Sequence, residues 1–319
     1  MPPIPPPPPG IWCPAITLFN PLTDALDLPS QAKYYAHLAA SGLAGLVILG
    51  TNAETFLLTR PERRALLSLA REVCPPSFPL MAGISGHSTA QVLEYLSDAV
   101  EVGVQYILLL PPGYFPGMST PAVVEGFYKE VSAAAAEKGV GTVVYNFPAV
   151  CGGLDLSSSV VAKLARENQG VVGVKLTCGS VAKITRLAAE LKQEEFSTFG
   201  GQSDFLVGGL AVGSAGCVAA FANVVPRVVV RIWELWRTGR QGEALELQRK
   251  AALAEQAVKE GGVAAVKYAA GVVTAGRAGV EGAEGRVRMR RPYGDLAEER
   301  KRAIREALRE VAEIEESLW

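Results

Sequence analysis

Eight short runs of apolar and β-branched residues recur along this 319-residue chain, and this recurrence constrains the fold more than any other feature of the sequence. The runs are apolar almost throughout, as is typical of parallel strands that are covered on both faces. The segments between them are long enough for the helix that a parallel connection requires. We predict strands at Ile11–Leu18, Leu43–Gly50, Pro79–Ile84, Val104–Leu110, Val140–Asn146, Val171–Leu176, Phe196–Gly200 and Gly216–Phe221.

Eight such units predict an α/β fold, a closed (β/α)8 TIM barrel. The alternative is an open doubly wound sheet, which usually carries a Gly-x-Gly-x-x-Gly turn after its first strand. Here the residues that follow Leu18 are Phe-Asn-Pro-Leu-Thr, and a Gly-rich phosphate loop is also missing from the sequence. The sequence therefore favours the barrel.

The pattern changes after Pro226, where only helical segments follow: Arg227–Thr238, Gln241–Glu260, Val263–Thr274 and Leu296–Leu318. That is more than the last helix of a barrel needs. We therefore expect a barrel over residues 11–225, and its last helix plus a C-terminal helical extension over residues 226–319. The proline-rich residues 1–10 predict a stiff, disordered leader, with a ligand for a proline-binding module as the alternative.

Composition narrows the classes of function. Lys and Arg number 31 against 32 for Asp and Glu, so nothing indicates nucleic acid or an anionic membrane as a partner. The cysteines form no Cys-x-x-Cys pair, and the first residues do not resemble a secretory signal, which favours a reducing, cytoplasmic location. Only two histidines are present, far apart, so we expect neither a histidine-rich metal site nor a histidine-based triad.

One predicted strand ends in a lysine, Lys175, after the apolar run Gly-Val-Val-Gly-Val. A charged ammonium is costly in a buried position, so burial of a lysine favours its neutral amine. A neutral amine can attack a ketone and form a Schiff base. The preceding strand ends at Tyr145, whose phenol would transfer protons beside such an amine. The alternative is a lysine that only snorkels from the strand end into solvent.

Reactive groups of (β/α)8 barrels lie at the carboxyl ends of the strands. Four segments of the sequence are predicted there: Gly50–Glu54, Tyr114, Tyr145 and Lys175. Backbone amides after Gly50 could bind a carboxylate as a small nest. The set fits a substrate that carries both a ketone and a carboxylate.

These segments resemble the family of dihydrodipicolinate synthase and N-acetylneuraminate lyase, the pyruvate class I aldolases on a (β/α)8 barrel. The resemblance is carried by Gly-Thr-Asn-Ala-Glu54, Val-Tyr-Asn-Phe-Pro148 and Gly-Val-Lys175, and it is supported by Gly200–Asp204 and Gly216–Pro226. Any one of these motifs is weak, but five in the expected order are strong.

The resemblance implies a role for each matched residue. Lys175 is the Schiff-base lysine and Tyr145 the proton-transfer phenol. Thr51 and Asn52 occupy the positions that bind the substrate carboxylate, where the backbone amides after Gly50 also lie, and Val218 lies beside the methyl end of the 2-oxo acid. The resemblance also implies no metal and no organic cofactor beyond the imine on Lys175. It further implies a homo-oligomer, dimeric or tetrameric, in which a tyrosine crosses between subunits, and Tyr114 is the candidate for that tyrosine.

Departures from the family pattern bear on the substrate. Asn52 replaces the family's second threonine, and Val150 falls where the synthase has an arginine associated with a carboxylated aldehyde partner. The segment Lys-Leu-Thr-Cys-Gly179 resembles fungal 2-keto-3-deoxy-acid (L-threo-3-deoxy-hexulosonate) aldolases. We expect cleavage of a 2-keto-3-deoxy sugar acid to pyruvate and an aldehyde. The alternatives, in order, are 4-hydroxy-2-oxoglutarate aldolase, dihydrodipicolinate synthase and a non-catalytic relative that binds an oxo acid.

Two charged features receive a structural interpretation. Glu54 is expected to cap or pair with a neighbour rather than act as a base. The basic cluster Arg286–Arg291 is expected to be a solvated turn, with anion binding as the alternative.

Overall fold

The structure, a computed structural model, describes residues 3–319. Eight parallel strands close into a barrel in the order β1 to β8, which confirms the predicted fold class. The strands are β1 Gly10–Pro14, β2 Gly45–Ile48, β3 Leu80–Gly83, β4 Tyr106–Leu109, β5 Gly141–Asn146, β6 Val171–Leu176, β7 Ser197–Gly200 and β8 Gly216–Val218.

Helices alternate with the strands and continue after β8. They are α1 Leu28–Ala39, α2 Arg60–Val73, α3 Thr89–Val102, α4 Pro121–Ala136, α5 Ser158–Glu167, α6 Val181–Glu190, α7 Leu206–Ala211, α8 Pro226–Arg237, α9 Gln241–Lys259, α10 Gly262–Ala270, α11 Ala283–Arg286 and α12 Glu298–Ser317. A π-helical turn, Gly271–Ala275, extends α10. None of these helices is both long and apolar enough to cross a membrane.

Most strands are shorter than predicted, and the largest differences lie at two carboxyl ends: β1 ends at Pro14 rather than Leu18, and β8 at Val218 rather than Phe221. A buried asparagine accounts for part of this difference. The side-chain oxygen of Asn223 accepts from the Ile16 N–H at 3.1 Å, and its amide donates to the Pro14 carbonyl at 3.0 Å. These bonds provide partners for the Pro14 carbonyl and the Ile16 N–H, because backbone groups that leave a ladder need other partners when they are buried.

Contacts group the described residues into two units. The first contains the residues up to Pro9, Pro79–Gly201 and Gly208–Val218, and therefore strands β3 to β8. The second contains Gly10–Phe78, Gln202–Val207 and Ala219–Trp319, and therefore β1, β2 and the C-terminal helices. The division into leader, barrel and extension that the sequence suggested stays a prediction.

In the first unit, the pairing of β5 with β6 makes Tyr145 and Lys175 Cα partners. On the other side of β6, Lys175 has Phe199 of β7 as its partner. All three side chains are buried, with at most 3% of their surface exposed. The register therefore places the two residues of greatest chemical interest side by side at the carboxyl ends of their strands.

The described part of the proline-rich leader contacts the opposite, amino-terminal ends of the strands. The Tyr106 hydroxyl donates to the Pro6 carbonyl at 3.1 Å, and the Ser197 hydroxyl donates to the Pro7 carbonyl at 2.7 Å. Proline lacks an N–H but keeps its acceptor, so a proline-rich segment can still bind in this way. Residues 3–9 thus differ from the disordered leader that we expected, and Met1 and Pro2 lie outside the described residues.

In the second unit, side-chain caps define two helix starts. Thr59 and Glu62 form a capping box at the start of α2. Glu315 of α12 accepts from the backbone N–H groups of Arg227 and Val228 at 3.1 and 2.8 Å, at the start of α8. The last helix of the chain is therefore bonded to the first helix after the barrel strands.

Candidate active site

Lys175 and Tyr145 form the chemically most suggestive pair of the first unit. The Lys175 side chain is 2% exposed, and its Nζ lies 4.3 Å from the centroid of the Tyr145 ring. A lysine that snorkels into solvent would have an exposed side-chain nitrogen, whereas the Lys175 side chain is buried. A buried primary amine beside a phenol provides a nucleophile and a proton carrier in one place.

A hydrogen-bonded network surrounds Asn146, the residue after Tyr145. The Asn146 amide donates to Asp155 Oδ1 at 2.7 Å, and its oxygen accepts from the Leu156 N–H at 2.9 Å. Lys183 of α6 donates to the same Asp155 oxygen and, at 2.8 Å, to the Leu156 carbonyl. Partial burial alone would raise the pKa of Asp155, but the hydrogen bonds from Lys183 and Asn146 hold it below its ordinary value.

This network was missed in the sequence. Asp155 lies just before α5 but is not its cap, because Ser157 caps that helix by accepting from the Val160 N–H at 3.2 Å. The one available signal was Lys183 itself, a cation on the otherwise apolar face of a short amphipathic helix, where it is only 8% exposed.

The loop between β5 and α5 begins with an aromatic contact to the candidate phenol. The Phe147 ring stacks on the Tyr145 ring, with 5.8 Å between centroids and 29° between planes. Further along the loop, Gly152 and Gly153 adopt φ of +60° and +84°, which permit the chain to turn back toward α5. Cys151 is buried, and burial raises the pKa of its thiol to about 11, so the reactive thiolate is disfavoured.

The other candidates of the first unit lie at different depths. Val218 is the last residue of β8 and is fully buried. Tyr114, in the loop after β4, is 68% exposed, and its ring contacts His87 and Phe115 at centroid distances of 5.2 and 4.9 Å. Val150, which replaces the arginine of the family pattern, is 43% exposed.

Gly50, Thr51 and Asn52 belong to the second unit, where they follow β2. Gly50 precedes a single 3₁₀ turn over Thr51–Ala53, and Glu54 ends that turn with a φ of +56°. The Ala53 carbonyl accepts from the Thr17 hydroxyl at 2.8 Å. The predicted carboxylate-binding residues thus lie on or next to a short turn whose last carbonyl is bonded to Thr17.

Glu54 is a buried structural ion-pair residue, in the sense expected from the sequence. Its Oε1 accepts from Lys267 Nζ at 2.5 Å, and its Oε2 accepts from the Arg290 N–H at 2.8 Å. Both side chains of the ion pair are almost fully buried. Burial lowers the pKa of Lys267 to about 8, although Glu54 opposes the shift.

The basic cluster is only in part the solvated turn that we expected: Arg288 and Arg291 are exposed, but Arg290 is largely buried. Arg290 makes a bidentate pair with Glu62, at 2.7 Å for each bond, and donates to the Leu57 carbonyl at 3.0 Å. Its side chain is only 17% exposed. The expectation failed for Arg290 because its side chain binds acceptors from a distant part of the chain.

Residues 3–319 contain no group of three or more His, Cys, Asp or Glu side chains that could hold a metal ion. Metal independence of the reaction stays a prediction.

A family model and several known proteins are similar to this chain over nearly its whole length. The model of the Dihydrodipicolinate synthetase family matches residues 8–311. A Coccidioides immitis (strain RS) protein named "Putative 4-hydroxy-2-oxoglutarate aldolase, mitochondrial" is 55% identical over 312 residues, covering 98% of each chain. An "L-threo-3-deoxy-hexylosonate aldolase" of Hypocrea jecorina is 32% identical over 320 residues, covering 97% of this chain and 98% of that one.

A solved structure agrees with this assignment. The crystal structure described as "a putative dihydrodipicolinate synthase family protein from Coccidioides immitis" shares 54% identity and superimposes with a TM-score of 0.92. The match covers 98% of this chain and 99% of the other. The chain therefore belongs to the dihydrodipicolinate synthetase family over almost its whole length.

Proposed function

We propose that this chain is a class I aldolase that cleaves a 4-hydroxy-2-oxo acid to pyruvate and an aldehyde through an imine on Lys175. The observation that carries the proposal is the buried Lys175 amine 4.3 Å from the ring of Tyr145. Membership in the family and the aldolase names of similar proteins support it.

In the proposed reaction, Lys175 Nζ attacks C2 of the substrate, and loss of water gives a protonated imine that withdraws electrons from C3. Tyr145 relays the proton from the C4 hydroxyl as the C3–C4 bond breaks and the aldehyde leaves. The resulting enamine takes up that proton at C3. Water then hydrolyses the imine, which releases pyruvate and restores the amine. By the family resemblance, we assign the substrate carboxylate to Gly50, Thr51 and Asn52, and the methyl end of pyruvate to Val218.

Two substrates are candidates, and the similar proteins reverse the order that the sequence suggested. The 55% identical relative is named for 4-hydroxy-2-oxoglutarate, whose cleavage gives pyruvate and glyoxylate, whereas the relative named for a deoxy sugar acid is 32% identical. We therefore propose 4-hydroxy-2-oxoglutarate first. The sugar acid is second, favoured by Val150 in place of an arginine that would hold a carboxylated aldehyde.

The test is reduction with borohydride in the presence of pyruvate, followed by intact mass and peptide mapping. We expect one adduct, on Lys175, and its loss in Lys175→Met. Lys192→Met is the matched control, because Lys192 lies on the surface with a 76% exposed side chain. An unmodified protein, or an adduct on another lysine, would contradict the proposal. Initial rates of pyruvate release from the two candidate substrates then decide between them.

We also propose that the chain forms a homo-oligomer through the loop after β4. Tyr114, Phe115 and Met118 are 68%, 67% and 73% exposed, which is unusual for neighbouring large apolar side chains.

The chain has two candidate locations in the cell. The sequence favours the cytoplasm, whereas the name of the 55% identical relative contains the word "mitochondrial". Fractionation of cells that express the tagged chain separates the two.

A further inference from the structure

We propose that Lys183, acting with Asp155 and Asn146, is a positioning residue for Tyr145. The inference rests on the proposed function, because it concerns how the candidate phenol is held beside the candidate Schiff-base amine. It adds a residue on α6, outside the strand ends, to the machinery of proton transfer.

The first step is the closure of a loop. Asn146 ends β5, and Asp155 and Leu156 lie just before α5, so the bonds from Asn146 to both join the two ends of the loop at its base. Lys183 completes the closure, since its ammonium binds the Asp155 carboxylate and the Leu156 carbonyl. One cation thus donates to two acceptors at the base of the loop, the Asp155 carboxylate and the Leu156 carbonyl.

The second step connects this base to the phenol. Side chains alternate between the two faces of a strand, so Asn146 points away from the face that carries Tyr145. The loop leaves β5 through Phe147, whose ring lies against the Tyr145 ring at 5.8 Å between centroids. Closing the base of the loop therefore fixes the starting direction of Phe147, and Phe147 limits the motion of the Tyr145 ring.

The third step connects the network to β6. The Asn146 carbonyl accepts from the Thr177 N–H at 2.9 Å, two residues after Lys175. Asn146 therefore bonds to the carboxyl-terminal end of β6 with its backbone and to the base of the loop with its side chain. A shift of Asn146 would change the spacing of Tyr145 and Lys175, to which the rate of proton transfer is sensitive.

The experiment uses the full chain and compares two readouts, the rate of substrate cleavage and the formation of the borohydride adduct with pyruvate. We expect Lys183→Met to lower kcat for cleavage about tenfold or more, with little change in KM and with adduct still formed on Lys175. Lys183→Arg should recover most of the rate, because a guanidinium can also donate to the carboxylate and the carbonyl. Lys163→Met, a change on α5 at a surface ion pair with Glu125, is the matched control.

A double-mutant cycle tests whether Lys183 acts through Tyr145. If it does, Lys183→Met will cause little further loss of kcat in a Tyr145→Phe background, since the group it positions is already gone. An equal loss in both backgrounds overturns the proposal, as does an unchanged kcat in the folded single variant. Asp155→Asn provides the same cycle if Lys183→Met does not fold. Failure of the wild type to form an adduct on Lys175 would instead overturn the proposed function, and this inference with it.

Discussion

The side-chain nitrogen of Lys175 lies 4.3 Å from the centroid of the Tyr145 ring, and the two residues are direct Cα partners in the pairing of β5 with β6. This relationship follows from strand register rather than from a mobile loop. A reactive pair on neighbouring strands is held more precisely than a pair on loops, because the hydrogen-bonded ladder fixes its backbone.

Tyr145→Phe separates imine formation from bond cleavage. The variant keeps the ring that packs on Phe147 but lacks the oxygen that relays the proton. We expect cleavage to slow by about 10²- to 10⁴-fold, the usual contribution of a general acid–base group. Given sufficient time, the pyruvate adduct on Lys175 should still form. Tyr293→Phe, at a 54% exposed side chain, is the control, and a cleavage rate within a few-fold of wild type would assign the proton relay to another group.

Lys267→Met tests the buried ion pair with Glu54. Removal of the cation leaves a buried carboxylate without its partner, so we expect the free energy of unfolding to fall by about 3–5 kcal/mol in urea denaturation. Adding Glu54→Gln should recover part of that loss, because the unpaired charge is removed. Lys301→Met is the control within the same C-terminal region, and its pairs with the exposed Asp295 and Glu298 should contribute less than about 1 kcal/mol. Equal losses of unfolding free energy for the two lysines would show that burial does not increase the contribution of the ion pair to stability.

We expect Glu255 to make the free energy of unfolding depend on pH. Burial raises the pKa of this carboxyl to about 7 from an ordinary value of 4.5, although hydrogen bonds from Ser203 oppose the shift. Between these two values the folded chain keeps a proton that the unfolded chain has lost. The contribution of Glu255 to stability is therefore greatest below pH 4.5 and declines as the pH rises toward 7, by up to about 1 kcal/mol per pH unit.

The measurement is urea unfolding from pH 5 to 8 of the wild type, Glu255→Gln and the exposed control Glu195→Gln. The difference in stability between wild type and Glu255→Gln should change with pH across this range, whereas the difference for Glu195→Gln should stay constant. A constant difference for Glu255→Gln would mean that this carboxyl does not titrate there.

Phe115→Asp tests the proposed oligomer. A charge in the middle of an interface is costly to desolvate, so we expect the variant to sediment as a smaller species than the wild type. Leu253→Asp, on the 78% exposed Leu253 of α9, is the control and should leave the mass unchanged. A wild type that sediments as a monomer would contradict the proposal directly.

Much of the fold and the centre of the candidate site could be predicted from the sequence. The eight strands produce local runs of apolar residues, which signal buried parallel strands without any knowledge of the partners. Lys175 and Tyr145 could be located because each ends such a run, and parallel strands in a barrel present the same end to one side. The predicted β1 was too long, because a distant side chain, Asn223, bonds the backbone groups that follow the end of the strand.

The tertiary structure alone decided which charges meet. Lys267 and Glu54 are 213 positions apart, and Arg290 and Glu62 are 228 apart, so no local pattern links them. The same holds for Lys183, whose carboxylate partner Asp155 lies on a different βα unit. Local hydrophobic periodicity determines where an element forms, because it depends on residues a few positions away. The pairing of polar side chains depends on the packing of whole elements, which brings together groups that have no relation along the chain.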